Sequence, residues 1–301
     1  IANYCFAVGQ IPYDKILPKI APANKLSQIS NQGYAWGYLG GGTLFLINAL
    51  MFLYWDKIGL QSSVDAVKIS FIMVSIWWFA FMLPIRKNYK EDILHHKKIF
   101  LIKESFKNIL TTLRSISQYR NVSLFLIAFF LFIDGAHTVI YLAADFALNV
   151  GLKANDVIPA LILVQFVAFP ATILWGYIAD KYGDKPVLFI TIIFYIFIIF
   201  FSTTLSSAFE FYILAILVGG VQGGIQGSSR SLYGKIIPPE KAGEFFGIYN
   251  VLGRAGAIFG PLMVGGLLAL YGDIRISLLP IAVLFILGGL VLLKVKESNE
   301  I

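Results

Sequence analysis

The sequence predicts an all-α protein that crosses a membrane several times. Of its 301 residues 58% are hydrophobic, only 14% are charged, and the mean hydropathy is +0.77, whereas about a quarter of the residues of a soluble domain are charged. Apolar runs of roughly 20 residues recur along nearly the whole chain, and a run of that length spans a bilayer as a helix. Basic residues also collect in alternate loops. Helices that face lipid therefore replace the core of a soluble domain.

The apolar runs predict a series of helices, the first of them incomplete. They lie at about residues 1–13, 34–55, 66–85, 121–149, 157–178, 186–205, 208–230, 245–270 and 275–293. The first run is too short to span a bilayer, and the chain begins with Ile, so a truncated helix is the simplest interpretation. A cleaved signal peptide is a weaker alternative, because no basic segment precedes the run and no small-residue cleavage site follows it.

The net charge of +7 reflects topology rather than a nucleic-acid site. One set of loops and helix ends holds 19 basic residues and the opposite set holds 4. By the positive-inside rule, the richer set faces the cytoplasm. The expected partner is therefore the lipid bilayer and not a nucleic acid. The richer set comprises Lys15, Lys19, Lys25, nine residues from Arg86 to Arg120, Lys181, Lys185, Arg230, Lys235, Lys241, Lys294 and Lys296.

A polar segment from Arg86 to Arg120 separates two sets of spanning helices. Apolar residues between Ile99 and Leu113 recur three and four apart, which predicts an amphipathic helix on the cytoplasmic membrane face. His95 and His96 are adjacent, and neighbouring helical residues point about 100° apart, which suits a shared metal ion poorly. No metal site is therefore predicted. The predicted parts are 1–85, the rest of an amino-terminal bundle, 86–120, a linker, and 121–301, a carboxy-terminal bundle.

An internal repeat indicates that the two bundles are related. With a shift of 220 residues, the segment from Tyr13 to Pro18 aligns with the segment from Tyr233 to Pro238, and Gly33, Ala35 and Gly40 align with identical residues. Both copies run from the cytoplasmic end of one helix into the next, so the repeats are parallel, as in some secondary transporters. The same shift leads us to expect three helices upstream of Ile1 and twelve in the intact protein.

A loop motif connects two of the predicted helices on the cytoplasmic side. Gly176, Asp180, Gly183 and Lys185 have the spacing G-x-x-x-D-x-x-G-x-K. The glycines permit tight packing and turning, and Asp180 can face the N terminus of a neighbouring helix or a cation. The spacing resembles the cytoplasmic signature of the major facilitator superfamily, in which this loop acts as a latch between bundles in the outward-facing state. A helix turn with a capping Asp is the alternative.

This resemblance implies the major facilitator fold, with two parallel six-helix bundles from which helices 1–3 are missing here. Gly247, Gly256, Gly260 and Pro261 lie in one predicted helix, where small residues let helices approach closely. They resemble the glycine-proline signature of facilitator antiporters, with one residue too many before the following glycine pair. A packing face without coupling chemistry is at least as good an interpretation.

A narrower resemblance lies in three stretches, residues 134–140, 222–231 and 238–247. They are similar to the vacuole-effluxer family, which includes a fungal exporter of amino acids from the vacuole, and to its bacterial relatives. The resemblance implies a multi-pass protein of the bacterial plasma (inner) membrane, or of the vacuolar membrane if the source is fungal. It also implies a monomer that takes a small-molecule substrate and needs no cofactor.

Polar residues of the helix predicted at 121–149 form one stripe, which in the facilitator fold lines the central cavity. Asp134, His137, Thr138 and Tyr141 fall on one face, and an ionised carboxylate in hydrocarbon costs about 3 kcal/mol or more. We therefore expect Asp134 to couple protons or bind a substrate amine, with His137 as a proton partner. Hydrogen bonds across helices that serve only structure are the alternative.

A second stripe lies on the helix predicted at 208–230. Gln222, Gln226 and Arg230 recur four apart, and the neutral amides can bind a substrate without ionic cost. Arg230 is expected at the cytoplasmic boundary, where it either snorkels or forms an ion pair that closes the bundles. Arg254 lies deeper in its helix and needs an anion or water nearby.

The leading functional hypothesis is a secondary active transporter that works by alternating access, with protons as the coupling ion. A membrane-embedded enzyme acting on lipid-linked substrates should show clustered acids, His or Cys with catalytic geometry. The sequence shows no such cluster and no phosphate-binding glycine loop followed by Lys, so an enzyme is not predicted. A receptor that resembles a transporter but only binds its ligand stays open.

Overall fold

The computed structural model describes residues 2–89 and 116–297, and these residues contain helices but no strand. Eight helices of this part are long and apolar enough to cross a membrane. The long helices are α1 (Ala2–Ile20), α2 (Leu26–Leu53), α3 (Ser63–Asn88), α4 (Arg120–Asn149), α5 (Ala154–Tyr182), α6 (Asp184–Thr203), α7 (Ala208–Ile236), α8 (Ala242–Tyr271) and α9 (Ile274–Leu292). The predicted amphipathic helix and the His95–His96 pair lie outside the described residues.

Three helix ends differ from their predicted positions by six residues or more, all at polar sequence. Helix α1 runs past residue 13 to Ile20 and contains Pro12 and Pro18. Helix α2 begins at Leu26, so Ser27 and Ser30 lie in its first turns, where both are buried. Helix α7 continues to Ile236. In the sequence the apolar runs stop before these helix ends, because the residues there are polar. The helices continue through them because these polar groups contact one another instead of water.

The chain forms two compact units. The first comprises residues 1–39 together with 107–301, and the second comprises residues 40–106. In the second unit, the Ser62 hydroxyl accepts a hydrogen bond from the Asp65 amide and caps α3, and the rings of Trp77 and Phe81 lie 4.9 Å apart. The predicted division at residues 85 and 120 stays a prediction.

Glycines set the spacing of α5 and α7 in the first unit. A Cβ atom added at Gly219 would lie 2.7 Å from the carbonyl oxygen of Val164. Gly224 faces the ring of Trp175 in the same way, and the Trp175 indole donates a hydrogen bond to the carbonyl of Gly220 (2.7 Å). Close approach of helix backbones through small residues is the usual basis of packing in membranes, so these two helices form the rigid frame of the site.

Aromatic rings fill the space between α4, α7 and α8. The ring of Phe129 stacks on Tyr249 at a centroid distance of 4.2 Å, and Phe125 stacks on Tyr233 at 5.6 Å. The Tyr233 hydroxyl donates to the carbonyl of Phe245 (2.9 Å). This apolar core holds the polar face of α7 in a fixed orientation towards α1 and α2.

Candidate functional site

One end of the first unit collects the connections between α1 and α2, α5 and α6, and α7 and α8, and we call it the basic end. Polar side chains of α1 and α2 meet those of α5, α6 and α7 there, and we call this group the basic-end cluster. The basic end is named for Lys19, Lys25, Lys181, Lys185, Lys235 and Lys241. The cluster comprises the polar residues Asp14, Ser27, Gln28, Ser30, Asn31, Asp180, Asp184, Arg230 and Ser231, together with Gly176 and Gly227, at which the helices approach closely.

Arg230 is the centre of the basic-end cluster. Its Nη1 lies 3.1 Å from Oδ1 of Asp14 on α1, and both side chains are about 95% buried. Its Nε donates to the Ser30 hydroxyl (3.0 Å) and its Nη2 to the Ser30 carbonyl (2.6 Å) on α2. The ring of Tyr34 lies 4.5 Å from the guanidinium carbon. One buried cation thus joins α7 to both amino-terminal helices, so Arg230 does not snorkel.

Asp14 has a second partner on the carboxy-terminal side. Its Oδ2 accepts a hydrogen bond from Nδ2 of Asn250 on α8 (2.9 Å). Each carboxylate oxygen therefore receives a donor, from Arg230 and from Asn250, which compensates for part of the cost of burying the charge.

The loop motif reaches the first turn of α2. Oδ2 of Asp180 accepts a hydrogen bond from the backbone N–H of Gln28 (3.3 Å). A free N–H near a helix N terminus and the helix dipole both favour an acidic group there. A Cβ atom at Gly176 would lie 2.9 Å from Cβ of Asn31 and 3.1 Å from Cα of Gln28. Asp180 thus faces a helix N terminus, which is one of the two environments considered for it, and its role as a latch stays a prediction.

The other two motif residues lie where α5 turns into α6. Gly183 has φ of +97°, a backbone conformation that favours glycine. The Nζ of Lys185 donates to the carbonyl oxygens of Val295 (2.7 Å) and Leu293 (3.2 Å), beyond the end of α9. Gly183 therefore permits the turn, and Lys185 binds the carboxy-terminal segment.

A glycine of α7 lets α2 approach closely. A Cβ atom at Gly227 would overlap the side chain of Asn31 and lie 3.0 Å from its Cα. The hydroxyl of Ser30 donates to the Gly227 carbonyl (2.8 Å). One turn further along, the Ser231 hydroxyl donates to that of Ser27 (3.0 Å), so contacts between α2 and α7 extend along more than a turn.

An ion pair lies at the outer edge of the basic-end cluster. The Nζ of Lys235 lies 2.8 Å from Oδ2 of Asp184, which is fully buried. The hydroxyl of Ser27 donates to the same Oδ2 (3.0 Å). The first residue of α6 thus binds both α7 and α2.

The predicted polar stripe of α4 faces α8. The carboxylate of Asp134 is 1% exposed, and its Oδ1 accepts a hydrogen bond from the backbone N–H of Gly260 (3.1 Å). The Thr138 hydroxyl donates to the Asp134 carbonyl (2.7 Å). A Cβ atom at Gly260 would overlap Thr138 and lie 3.2 Å from Oδ1 of Asp134, so glycine is required there. Pro261 follows directly and donates no backbone hydrogen bond.

The other predicted residues of this region are less enclosed. His137 is half-buried, and its Nδ1 has no hydrogen-bond partner among the described residues. Tyr141 is 62% exposed, with its ring 6.0 Å from that of His137.

Arg254 is exposed, with its guanidinium carbon 5.0 Å from the ring of Phe6. Among the described residues, nothing beyond its own stretch of helix lies within 4 Å of a Cβ placed at Gly247. The surroundings of Gly256 lie outside what the structure describes.

Each of the two glutamines of α7 accepts a hydrogen bond from a tyrosine of another helix. The Tyr195 hydroxyl of α6 donates to Oε1 of Gln222 (2.6 Å), and the Tyr38 hydroxyl of α2 donates to Oε1 of Gln226 (2.7 Å). Tyr38 binds the amide oxygen of Gln226, so the NH₂ group of this side chain is the part that can donate to a ligand.

Sequence reasoning missed the acidic and tyrosine partners of these residues. Asp14, Asp184, Tyr38 and Tyr195 were not singled out, although all four bind predicted or neighbouring site residues. The signal for Asp14 was its position, because this charged residue directly follows the first, incomplete apolar run at residues 1–13. Nothing in the sequence could indicate that its partner lies 216 residues away.

The profile of the family described as vacuole effluxer Atg22 like matches residues 16–300. The chain belongs to this family. This Atg22-like chain is 31% identical over 296 residues to an uncharacterized MFS-type transporter, YxiO, of Bacillus subtilis (strain 168), and the match covers 98% of the chain and 69% of the relative. It is 27% identical over 287 residues to autophagy-related protein 22-1 of Penicillium rubens, covering 86% of the chain and 47% of the relative. The chain therefore spans about half the length of that fungal relative.

Solved structures show the fold of the Atg22-like chain. It superposes on the proton:xylose symporter XylE with a TM-score of 0.70 at 16% identity, over 95% of the chain and 67% of the symporter. FucP, in the outward conformation, matches with a TM-score of 0.68 at 14% identity, over 96% of the chain and 72% of FucP. The protein is thus a multi-pass integral membrane protein with the major facilitator fold, as predicted.

Proposed function

We propose that the Atg22-like protein is a secondary active transporter of a small solute that works by alternating access. The basic end faces the cytoplasm in this proposal, and the structure represents the state in which that end is closed. The observation that carries the proposal is the buried ion pair between Arg230 of α7 and Asp14 of α1. Charged groups regain hydration when they separate, which offsets much of their attraction, so such an interface can open and close.

The proposed coupling ion is the proton, and the proposed acceptor is Asp134. This carboxyl group is buried, and no ion pair is found for it in residues 2–89 and 116–297. Its bond to the Gly260 N–H joins α4 to α8. Protonation of the carboxylate weakens this charge-assisted bond, so the packing of α4 on α8 depends on the protonation state.

The proposed substrates are amino acids, bound between α4 and α7. The NH₂ group of Gln226 is oriented by Tyr38 and suits a carboxylate, because it offers donors without a charge of its own. Tyr141 supplies a further polar group at an exposed position on α4. Asp134 then responds to both the proton and the substrate amine.

The proposal predicts that Asp134→Asn uncouples transport. Labelled amino acids are followed in vesicles that contain the full-length protein, with and without a proton gradient. Wild type is expected to accumulate substrate when the gradient is present. The variant is expected to equilibrate substrate without accumulating it, because Asn cannot exchange a proton.

Asp145→Asn is the matched control, since it removes a carboxylate from an exposed position on the same helix and is expected to keep accumulation. Gradient-driven accumulation by Asp134→Asn would remove this residue from the coupling mechanism. Movement of no amino acid by wild type would remove the substrate class, and a wider panel of solutes then tests transport itself.

Gln226→Glu is expected to weaken recognition of the substrate carboxylate. The Glu carboxylate keeps an oxygen that accepts the hydrogen bond of Tyr38. It replaces the NH₂ donor with a negatively charged oxygen, which repels the substrate carboxylate. The KM for amino acids is expected to rise about tenfold or more, with a smaller change for the matching amines, which lack a carboxylate. Tyr38→Phe, which keeps the donor and removes only its orienting partner, is expected to give a smaller rise. Equal effects on acids and amines would contradict the assignment.

A further inference from the structure

The segment after α9, residues 293–297, is folded against the basic end. Val295 is fully buried, and the carbonyl oxygens of Leu293 and Val295 accept hydrogen bonds from Lys185, as described above. On the other side, Nδ2 of Asn121 donates to the Lys296 carbonyl (2.8 Å) and the Lys296 N–H donates to Oδ1 of Asn121 (2.7 Å). The segment is therefore anchored to the first turns of both α4 and α6.

The anchored segment places Glu297 in a site for an anion. Its Oε1 accepts from the backbone N–H of Asp184 (2.9 Å) and its Oε2 from that of Lys185 (3.3 Å). These are the first two N–H groups of α6, which have no partner within the helix. The Nζ of Lys235 completes the site, 3.3 Å from Oε1. A Cβ atom at Gly183 would lie 2.7 Å from Oε2 of Glu297, so the carboxylate packs directly against this glycine.

Glu297 is connected to α2 through Lys235 and Asp184. Lys235 lies between Glu297 and Asp184, at 3.3 Å and 2.8 Å. Asp184 in turn accepts the hydrogen bond of Ser27 on α2. Glu297 thus fixes both the cation that balances Asp184 and the backbone that carries it.

We propose that Glu297 is a positioning residue for closure of the basic end. It acts through Lys235 and Asp184, and it keeps the Asp184 carboxylate aligned with Ser27 of α2. The proposal rests on the proposed function only in taking the basic end as the end that opens. Residues 293–297, which we call the strap, then belong with the carboxy-terminal helices. The strap holds the side of the closing surface that these helices provide in the position needed for closure.

The test uses cysteine accessibility in the full-length protein. In a Cys5→Ser background, Ser231→Cys reports on the surface that α2 covers, and Ala160→Cys reports on a fully buried site of α5. The rate of reaction with a membrane-permeant maleimide is measured for each reporter with Glu297 and with Glu297→Gln. We expect about a fivefold faster reaction at residue 231, the size expected for loss of one partly buried ion pair, and no change at residue 160.

Two further variants separate positioning from general loosening. Asn121→Ala releases the strap without changing a charge and is expected to act in the same direction as Glu297→Gln. Lys294→Gln changes the charge of the same segment at an exposed position and is expected to leave both rates unchanged. Faster reaction at both residues 231 and 160 would show that Glu297 only stabilises the fold, which would overturn the proposal.

Asp14→Asn in the same background separates this inference from the proposed function. It is expected to speed reaction at residue 231, because it weakens the central ion pair. If Asp14→Asn has this effect and Glu297→Gln does not, closure stands and the positioning role of Glu297 is wrong. If neither variant has an effect, closure by the basic-end cluster is itself wrong.

Discussion

Arg230→Met is expected to reduce transport by at least about 100-fold and to leave the basic end open. Met keeps much of the length of the side chain, but Asp14 loses its cation and Ser30 loses two donors. Removing one partner of a buried ion pair costs roughly 3–5 kcal/mol. Because hydration of Asp14 relieves this cost only when the helices separate, the open state gains most of that free energy.

The distance between α2 and α8 measures the outcome directly. Spin labels at Lys25→Cys and Lys241→Cys, two exposed positions at the starts of these helices, are compared by pulsed electron resonance in a Cys5→Ser background. Arg230→Met is expected to lengthen the main distance. Normal transport with an unchanged distance would contradict the role given to Arg230.

Two companion variants identify the cause. Arg230→Lys keeps the charge but lacks the planar group that binds Asp14 and Ser30 together, so an intermediate defect is expected. Asp14→Asn combined with Arg230→Met removes both charges and is expected to be less impaired than Arg230→Met alone. Equal impairment would show that an unpaired Asp14 carboxylate is not the source of the defect.

The all-α membrane class could be predicted because the bilayer fixes the length of an apolar run, whereas the major facilitator fold was implied by the internal repeat and the motif resemblance. Helix α4 begins and ends within a residue of its predicted bounds, 121 and 149. Hydropathy fails where polar residues are buried against each other. Arg230 was therefore expected at a helix boundary, whereas it lies inside α7 with its charge paired.

Only those features of the candidate site that depend on local sequence could be predicted. The loop motif left a helix N terminus or a cation as the partner of Asp180, and the structure shows the helix N terminus. The face shared by Asp134 and Thr138 follows from helical periodicity. The partners of Arg230 and Gln226 depend on how distant helices meet, which one sequence does not show. The roles given to all these residues stay predictions that the experiments above test.

Gly227→Leu is expected to abolish transport by preventing closure of the basic end. A side chain at this position meets the backbone of Asn31 as well as its side chain. Rotation of Asn31 therefore cannot make room, and α2 must move away from α7. That movement separates Ser30 and Ser27 from Arg230 and Ser231, so one added side chain removes the whole surface between the two helices.

Gly220→Leu is the matched control, because it lies on the same helix two turns earlier. In the part of the chain that the structure describes, nothing beyond its own stretch of helix lies within 4 Å of a Cβ placed there. Uptake by vesicles and the distance between labels at residues 25 and 241 are measured for both variants. Normal uptake is expected for Gly220→Leu and background uptake with a lengthened distance for Gly227→Leu. A carrier needs both states in each cycle, so a variant that cannot close fails even though its substrate residues are intact. If Gly227→Leu binds substrate but does not take it up, closure is separate from recognition. Normal uptake by this variant would show that the contact between α2 and α7 is not part of the transport cycle.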